Sequence, residues 1–284
     1  FTESPTTAPG VADAGVADLG HVQHVDHLLV AHRRTDDAEI YFVANHQARG
    51  RKLVMSFRIA GRVPQLWDAA TGEVSEVRGW REIGGRTDVP LALEANASVF
   101  VVFRAREHGV SSSFAPTNLI ADLPVRLRLD GPWEVNFAPG WGAPDRIQLP
   151  KLMSWTEHEN VGVRHYSGAA VYMKEFEMPE LRRGERVMLD LGEVQVLASV
   201  KLNDRGMGVL WKPPYAVDVA DALKPGHNRL EVRVVNVWVN RLIADAALPP
   251  EQRLTWASWN PFRPGDALLP SGLLGPVQLR SAAE

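Results

Sequence analysis

Apolar and polar positions alternate with period two along much of this chain. In its C-terminal half three such runs, 169–176, 196–202 and 230–238, are separated by Asn203-Asp204-Arg205-Gly206 and Lys224-Pro225-Gly226-His227-Asn228. These residue types tolerate tight backbone bends, so the pattern predicts antiparallel strands joined by turns. Upstream, 40–43, 53–59, 89–93 and 98–103 are β-branched and aromatic runs, punctuated by Gly61, Thr71-Gly72 and Gly84-Gly85. Two more runs, 125–129 and 133–137, flank Asp130-Gly131-Pro132, and 274–279 reads as a closing strand. A barrel of alternating strands and helices would need several long helical patterns, and none stands out. The expected fold is all-β, with two β-sandwich domains, the second a jelly roll.

The domain layout follows from where this pattern lapses. Residues 1–26, rich in Ala, Gly, Pro and Thr, read as a loose tail with one helical turn near 11–19. Residues 27–107 form the first sandwich. Small and polar residues without periodicity, starting at His108-Gly109-Val110-Ser111, mark a linker over 108–122. The second sandwich spans 123–284. Its long connections are 138–151, rich in Pro and Gly, a polar loop at 154–165 carrying Trp155, and 247–269.

Composition narrows the function classes. A chain of 284 residues can bury a sizeable core in one or two domains. Its formal net charge of −3 points to no nucleic-acid or anionic-membrane partner. No apolar run approaches the ~20 residues that span a bilayer. The absence of cysteine removes disulfides, thiolate catalysis and cysteine-type zinc sites. The chain opens on Phe1 without a charged-then-apolar leader, as expected of a chain processed or cut from a longer one.

Candidate chemistry lies mainly in aromatic and amide residues. His21, His24 and His27 are spaced by three, which gathers all three nitrogens on neither a helix nor a strand, so no metal site is assigned. Asp68, Glu157, Glu159, Asp190, Asp218 and Asp245 flank apolar runs or aromatic loops. Hydrolysis by paired carboxylates needs two that face one bond, and nothing marks two of these as such, so no catalytic residue is assigned. Trp211-Lys212-Pro213-Pro214-Tyr215 belongs on an edge or loop, because its prolines cannot donate to a central ladder. It is either a platform for a ligand ring or, the favoured use, packing that closes one end of the sandwich or docks on a neighbouring domain. If 230–238 continues as a strand, Asn236, Trp238 and Asn240 share one face. That face suits hydroxyl recognition or bonding to neighbouring loops equally well. The candidate binding residues are Trp155, Trp211, Tyr215, Trp238, Asn240, Arg241, Trp256 and Trp259, which adjoin strand ends where sandwich loops cluster; the resemblance below makes carbohydrate their expected ligand.

Particular strings carry a family resemblance. From 166 to 241 the order strand, strand, hairpin, Trp-Lys-Pro-Pro-Tyr, Val-Asp-Val, Gly-His-Asn turn, strand resembles the galactose-binding-like jelly roll of large glycoside hydrolases. Asn236-Val-Trp-Val-Asn-Arg-Leu-Ile, Leu248-Pro-Pro, Arg253-Leu-Thr255 and Ser271-Gly-Leu-Leu-Gly-Pro-Val277 resemble the C-terminal end of the α-L-rhamnosidases of glycoside hydrolase family 106. So do His32-Arg33, Ile40-Tyr-Phe-Val-Ala-Asn45, Phe57-Arg58 and Pro64-Gln-Leu-Trp-Asp68 with Thr71-Gly72. The resemblance runs from about His27 to Leu279. It implies that the chain follows a catalytic α/β barrel it does not contain, and that the parent enzyme hydrolyses α-L-rhamnosides with two glutamates and, often, calcium in that barrel. It also implies a periplasmic or secreted location. The expected function is an accessory region that braces the barrel and contacts carbohydrate, rhamnose-containing by resemblance, inactive by itself and without a cofactor of its own. The alternatives are an α-L-rhamnosidase in its own right and a purely structural interdomain module.

Overall fold

The computed structural model describes residues 27–105, 119–180 and 185–281, together with the backbone of 11–13, 23–25 and 113–114. The chain divides into two units, Phe1–Asp122 and Leu123–Glu284. Strands dominate both. No helix among the described residues is long and apolar enough to cross a membrane.

The first unit contains β1 (Val11–Asp13), β2 (Gln23–Val25), β3 (Leu28–Arg34), β4 (Ala38–Asn45), β5 (Arg51–Phe57), β6 (Val63–Trp67), β7 (Val74–Glu76), β8 (Arg81–Ile83), β9 (Arg86–Leu93), β10 (Ser98–Arg104) and β11 (Ser113–Phe114). One sheet has the order β1-β5-β9-β8 and the other β11-β7-β6-β10-β4-β3-β2. β9 shows why these residues form a sandwich: Thr87, Val89, Leu91 and Leu93 alternate inward at period two. Tyr41, Phe57 and Phe103 meet edge-on in the core, with ring centroids 4.8–5.9 Å apart. Beside them the buried Glu39 accepts from Arg34 Nε at 2.5 Å and lies 2.6 Å from His32 Nε2, whose ring stacks on Tyr41. Burial, and then the Glu39 charge, push the Tyr41 phenol up to about 12.

The second unit contains β12 (Val125–Arg128), β13 (Trp133–Phe137), β14 (Arg146–Leu149), α1 (Val161–Arg164), β15 (Ala169–Met178), β16 (Met188–Asp190), β17 (Glu193–Gln195), β18 (Leu197–Leu202), β19 (Arg205–Leu210), β20 (Ala216–Asp218), β21 (Gly226–Val235), α2 (Val239–Ala246), β22 (Gly272–Gly275) and β23 (Gln278–Arg280). Sheets of order β12-β23-β16-β20 and β14-β13-β15-β21-β18-β19 contribute to one core that includes Trp133, Phe137, Tyr172, Leu189, Val232 and Leu279. β17 and β22 pair separately. The turn chemistry works as the sequence suggests. Asn203 and Asp204 take positive φ in the β18–β19 hairpin. Asn228 Nδ2 donates to Lys224 O and Gly226 O, holding the Pro-Gly turn before β21.

Several local expectations need correction. β21 ends at Val235, where its partners Ala169 and Leu197 mark the ends of both neighbouring strands. The chain then enters α2, with Trp238 at its N-cap, so Asn236, Trp238 and Asn240 do not share a strand face. The closing strand is two short ones, β22 and β23. The polar loop at 154–165 holds a 3-10 turn (Trp155–Glu157) and α1, capped by Ser154 and Asn160. In the N-terminal tail, 11–13 pairs parallel to β5 instead of forming a helical turn; 14–19 lie outside the described residues. Of the linker, 108–112 and 115–118 lie outside them too. Ser113–Phe114 pairs with β7, and Ile120–Asp122 is a 3-10 turn.

Candidate functional site

The register of the six-stranded sheet fixes which loops meet. Phe137 pairs with Ala170, Ala170 with Val234, Val234 with Ala198, and Ala198 with Leu210. The segments that follow Phe137, Val235 and Leu210 therefore leave the same end of the sheet. Trp211 departs two strands from Asn236, roughly 10 Å across the ladder. Trp141, Trp211 and Trp238 all belong to that end.

Three buried side chains tie the long 247–271 connection to α2. Asn236, just after β21, accepts from Gly168 N at 2.8 Å and donates to Tyr166 O and Ser271 Oγ. Asn240 donates to Leu269 O and Ser271 Oγ and accepts from Leu269 N, which uses its whole amide. Asp245 Oδ2 accepts from Thr255 N at 2.8 Å and Thr255 Oγ1 at 2.5 Å. Near the tip, Asn260 Nδ2 donates to Leu242 O at 3.0 Å. Thr255 and Asn260 thus fix the connection on either side of Trp256 and Trp259. Those two indoles are 87% and 77% exposed, which leaves them free to meet something outside this chain.

Arg241 stands apart from its neighbours. Its side chain is 8% exposed and its backbone N–H donates to Ser167 Oγ. Nε lies 3.1 Å from Asp245 Oδ1, without hydrogen-bond geometry, so the two are joined by charge alone. The terminal guanidinium nitrogens donate to no group among the described residues, yet they are not fully covered. Gly142, at φ +87°, makes room for them: a Cβ there would stand 3.2 Å from Nη1 and 3.2 Å from Leu254 Cδ1. The adjacent Trp141 meets Trp238 edge-to-face at 5.6 Å.

The sequence-derived candidates therefore divide. Trp211, Trp238, Trp256 and Trp259 are exposed. Trp155, 1% exposed, is a core residue that stacks on Tyr172 and meets Phe137 and Tyr166 edge-on, so it offers no face to a sugar. Tyr215 is buried and its hydroxyl donates to Val196 O, which makes it the sandwich-closing residue of its segment. Asn240 is buried with its amide spent inside the fold, so it cannot bind a hydroxyl. Trp141 and Gly142 were not singled out from sequence; a tryptophan set between Pro139-Gly140 and Pro144 was the available signal.

The carboxylates flagged by position mostly serve the fold. Asp68 accepts from Ala70 N and Thr71 N in a turn. Asp190 pairs with Arg280, and Asp218 with Arg186. Glu157 and Glu159 are exposed. Of the three spaced histidines, His21 lies outside the described residues, only the backbone of His24 is described, and His27 takes positive φ in the turn before β3. Among the described residues no group of three or more His, Asp or Glu side chains could hold a metal ion.

Comparison with known proteins places this architecture. The family model described as alpha-L-rhamnosidase matches residues 10–81. The model described as glycosyl hydrolase 2 galactose-binding domain-like matches 154–263. A solved rhamnosidase from Novosphingobium sp. PP1Y is 36% identical with a TM-score of 0.80, over 94% of this chain and 24% of its own. A curated Formosa agariphila protein named "Putative beta-glucuronidase" is 35% identical over 190 residues, 58% of this chain and 16% of that protein. A Ruminococcus gnavus beta-glucuronidase, 24% identical with a TM-score of 0.34 over 39% of this chain and 20% of its own, is too distant to carry an argument. The chain spans about a quarter or less of these relatives, and it is a glycoside-hydrolase relative that combines α-L-rhamnosidase-like and galactose-binding-like sequence in two β-rich units.

Proposed function

We propose that this chain is the accessory β-sandwich region of an α-L-rhamnosidase-like glycoside hydrolase, bracing a catalytic α/β barrel supplied by other sequence. The observation that carries this reading is the pair of coverages: 94% of this chain corresponds to only 24% of a rhamnosidase at a TM-score of 0.80. The use of the flagged carboxylates in turns and ion pairs supports it, since glycoside hydrolysis needs two carboxyl groups facing one bond. The exposed face supports it too. Val237, Leu254, Trp256, Trp259 and Leu269 are large apolar side chains at the surface, all within segments tied to α2. Single exposed apolar residues are ordinary, but such a concentration marks a surface that something covers.

A chimera tests the reading. The part of the Novosphingobium rhamnosidase that matches this chain is deleted, and separately replaced by residues 27–281 of this chain. Deletion should lower thermal stability and activity toward an aryl α-L-rhamnoside. Replacement should restore both, and replacement with Trp256→Ala and Trp259→Ala should restore them only in part. A deletion that leaves stability and turnover intact would remove the bracing role.

A further inference from the structure

We propose that Arg241, with the indoles of Trp238 and Trp141 beside it, forms a binding site for an uncharged sugar unit. The inference deepens the proposed function by naming a ligand class and the residues that take it, and it rests on that reading only for the carbohydrate context.

The motive is the state of Arg241. A guanidinium carries five N–H donors, and a buried one ordinarily spends them on partners. Here Nε lies against Asp245, and among the described residues the terminal nitrogens have no acceptor. The position is also poor for a cation, because Arg241 lies in the first turn of α2, where the helix dipole disfavours positive charge. Neither feature is what stability alone would select. Gly142 leaves the terminal nitrogens the space that a side chain would fill.

The surroundings select the ligand. Asp245, itself buried, already balances the charge of Arg241, so the site is neutral and needs no anion. What is left over is N–H donor capacity, which suits the lone pairs of hydroxyl oxygens. Trp238 sits three residues before Arg241, one turn back on the same helical face. Its exposed indole and the Trp141 ring against it offer apolar surface to the C–H face of a pyranose. Donors to hydroxyls beside an aromatic face are the two components of neutral-sugar recognition. A uronic acid would bring a second carboxylate to a cation that already has one.

Calorimetric titration of the 284-residue chain with a neutral rhamnosyl oligosaccharide and with a glucuronosyl oligosaccharide tests this. The neutral sugar should bind, and more tightly than the anionic one. Trp238→Ala, at an exposed ring, should weaken binding about tenfold or more while the melting temperature holds. Arg241→Ala would leave Asp245 uncompensated, so the partner variant is Arg241→Gln with Asp245→Asn. It removes both charges, keeps an acceptor for Thr255, and should weaken binding to a similar degree in a folded protein. Absence of heat with the neutral sugar, preference for the glucuronosyl ligand, or binding unchanged in both variants would each overturn the proposal. None of these results alters the chimera outcome, so the two readings fail separately.

Discussion

Removing the Asp245 carboxylate would strand the Arg241 charge in a buried site and free Thr255 from both of its bonds. Breaking a buried pair from one side costs about 3–5 kcal/mol, so Asp245→Ala should lower the urea midpoint of the second unit sharply. The tryptophans make the same point about environment. Trp155 and Trp256 both occupy long connections and look alike in sequence. Trp155→Ala should cost about 3–5 kcal/mol, as for other large core aromatics. Trp256→Ala should stay within about 0.5 kcal/mol, because its ring touches little of this chain. Equal effects in a denaturant titration would contradict the burial assigned to them. Which way a loop tryptophan points depends on contacts distant in sequence, here Tyr172 and Gly272 for Trp155, and no local pattern encodes it.

Turn residues and strand alternation were readable because they are local. Asn203-Asp204 and the Asn228 turn lie where their residue types predict, and β9 and β21 keep the period-two pattern. The passage from β21 into α2 was not readable, since Val235, Val237 and Val239 still alternate at period two as a strand would, although on the face opposite Leu230, Val232 and Val234. What ends the strand is the loss of partners on both sides, a non-local fact. Gly272 is equally opaque in sequence. At φ +99° a Cβ would stand 2.6 Å from Tyr172 Oη and 2.7 Å from Trp155 Nε1. Gly272→Ala should therefore cost at least about 1–3 kcal/mol in the thermal melt of the second unit; a neutral effect would contradict the packing of β22. In the first unit, burial favours the neutral Tyr41 phenol. Its stabilising contribution is complete below the ordinary value of 10.0 and is lost as pH rises from there through about 12. Tyr41→Phe should flatten that alkaline decline, measured by denaturant unfolding between pH 9 and 12.

At the scale of the whole chain, the two units rest on separate apolar cores, and we propose that the domain boundary lies within 108–122. Limited proteolysis should cut there first, and protection across that stretch with cuts elsewhere would argue for a different boundary. The all-β class was legible because strand alternation and turn residues recur throughout the chain. The site was legible only in part: the tryptophans drew notice, but the open donors of Arg241 depend on Gly142, almost a hundred positions earlier. The most direct measurement is turnover of an aryl α-L-rhamnoside by the purified 284-residue chain. An accessory region should show none above the uncatalysed rate. Turnover that disappears when Asp68, Glu157, Glu159, Asp190, Asp218 or Asp245 is changed to its amide, in a protein that still folds, would make the chain an enzyme in its own right.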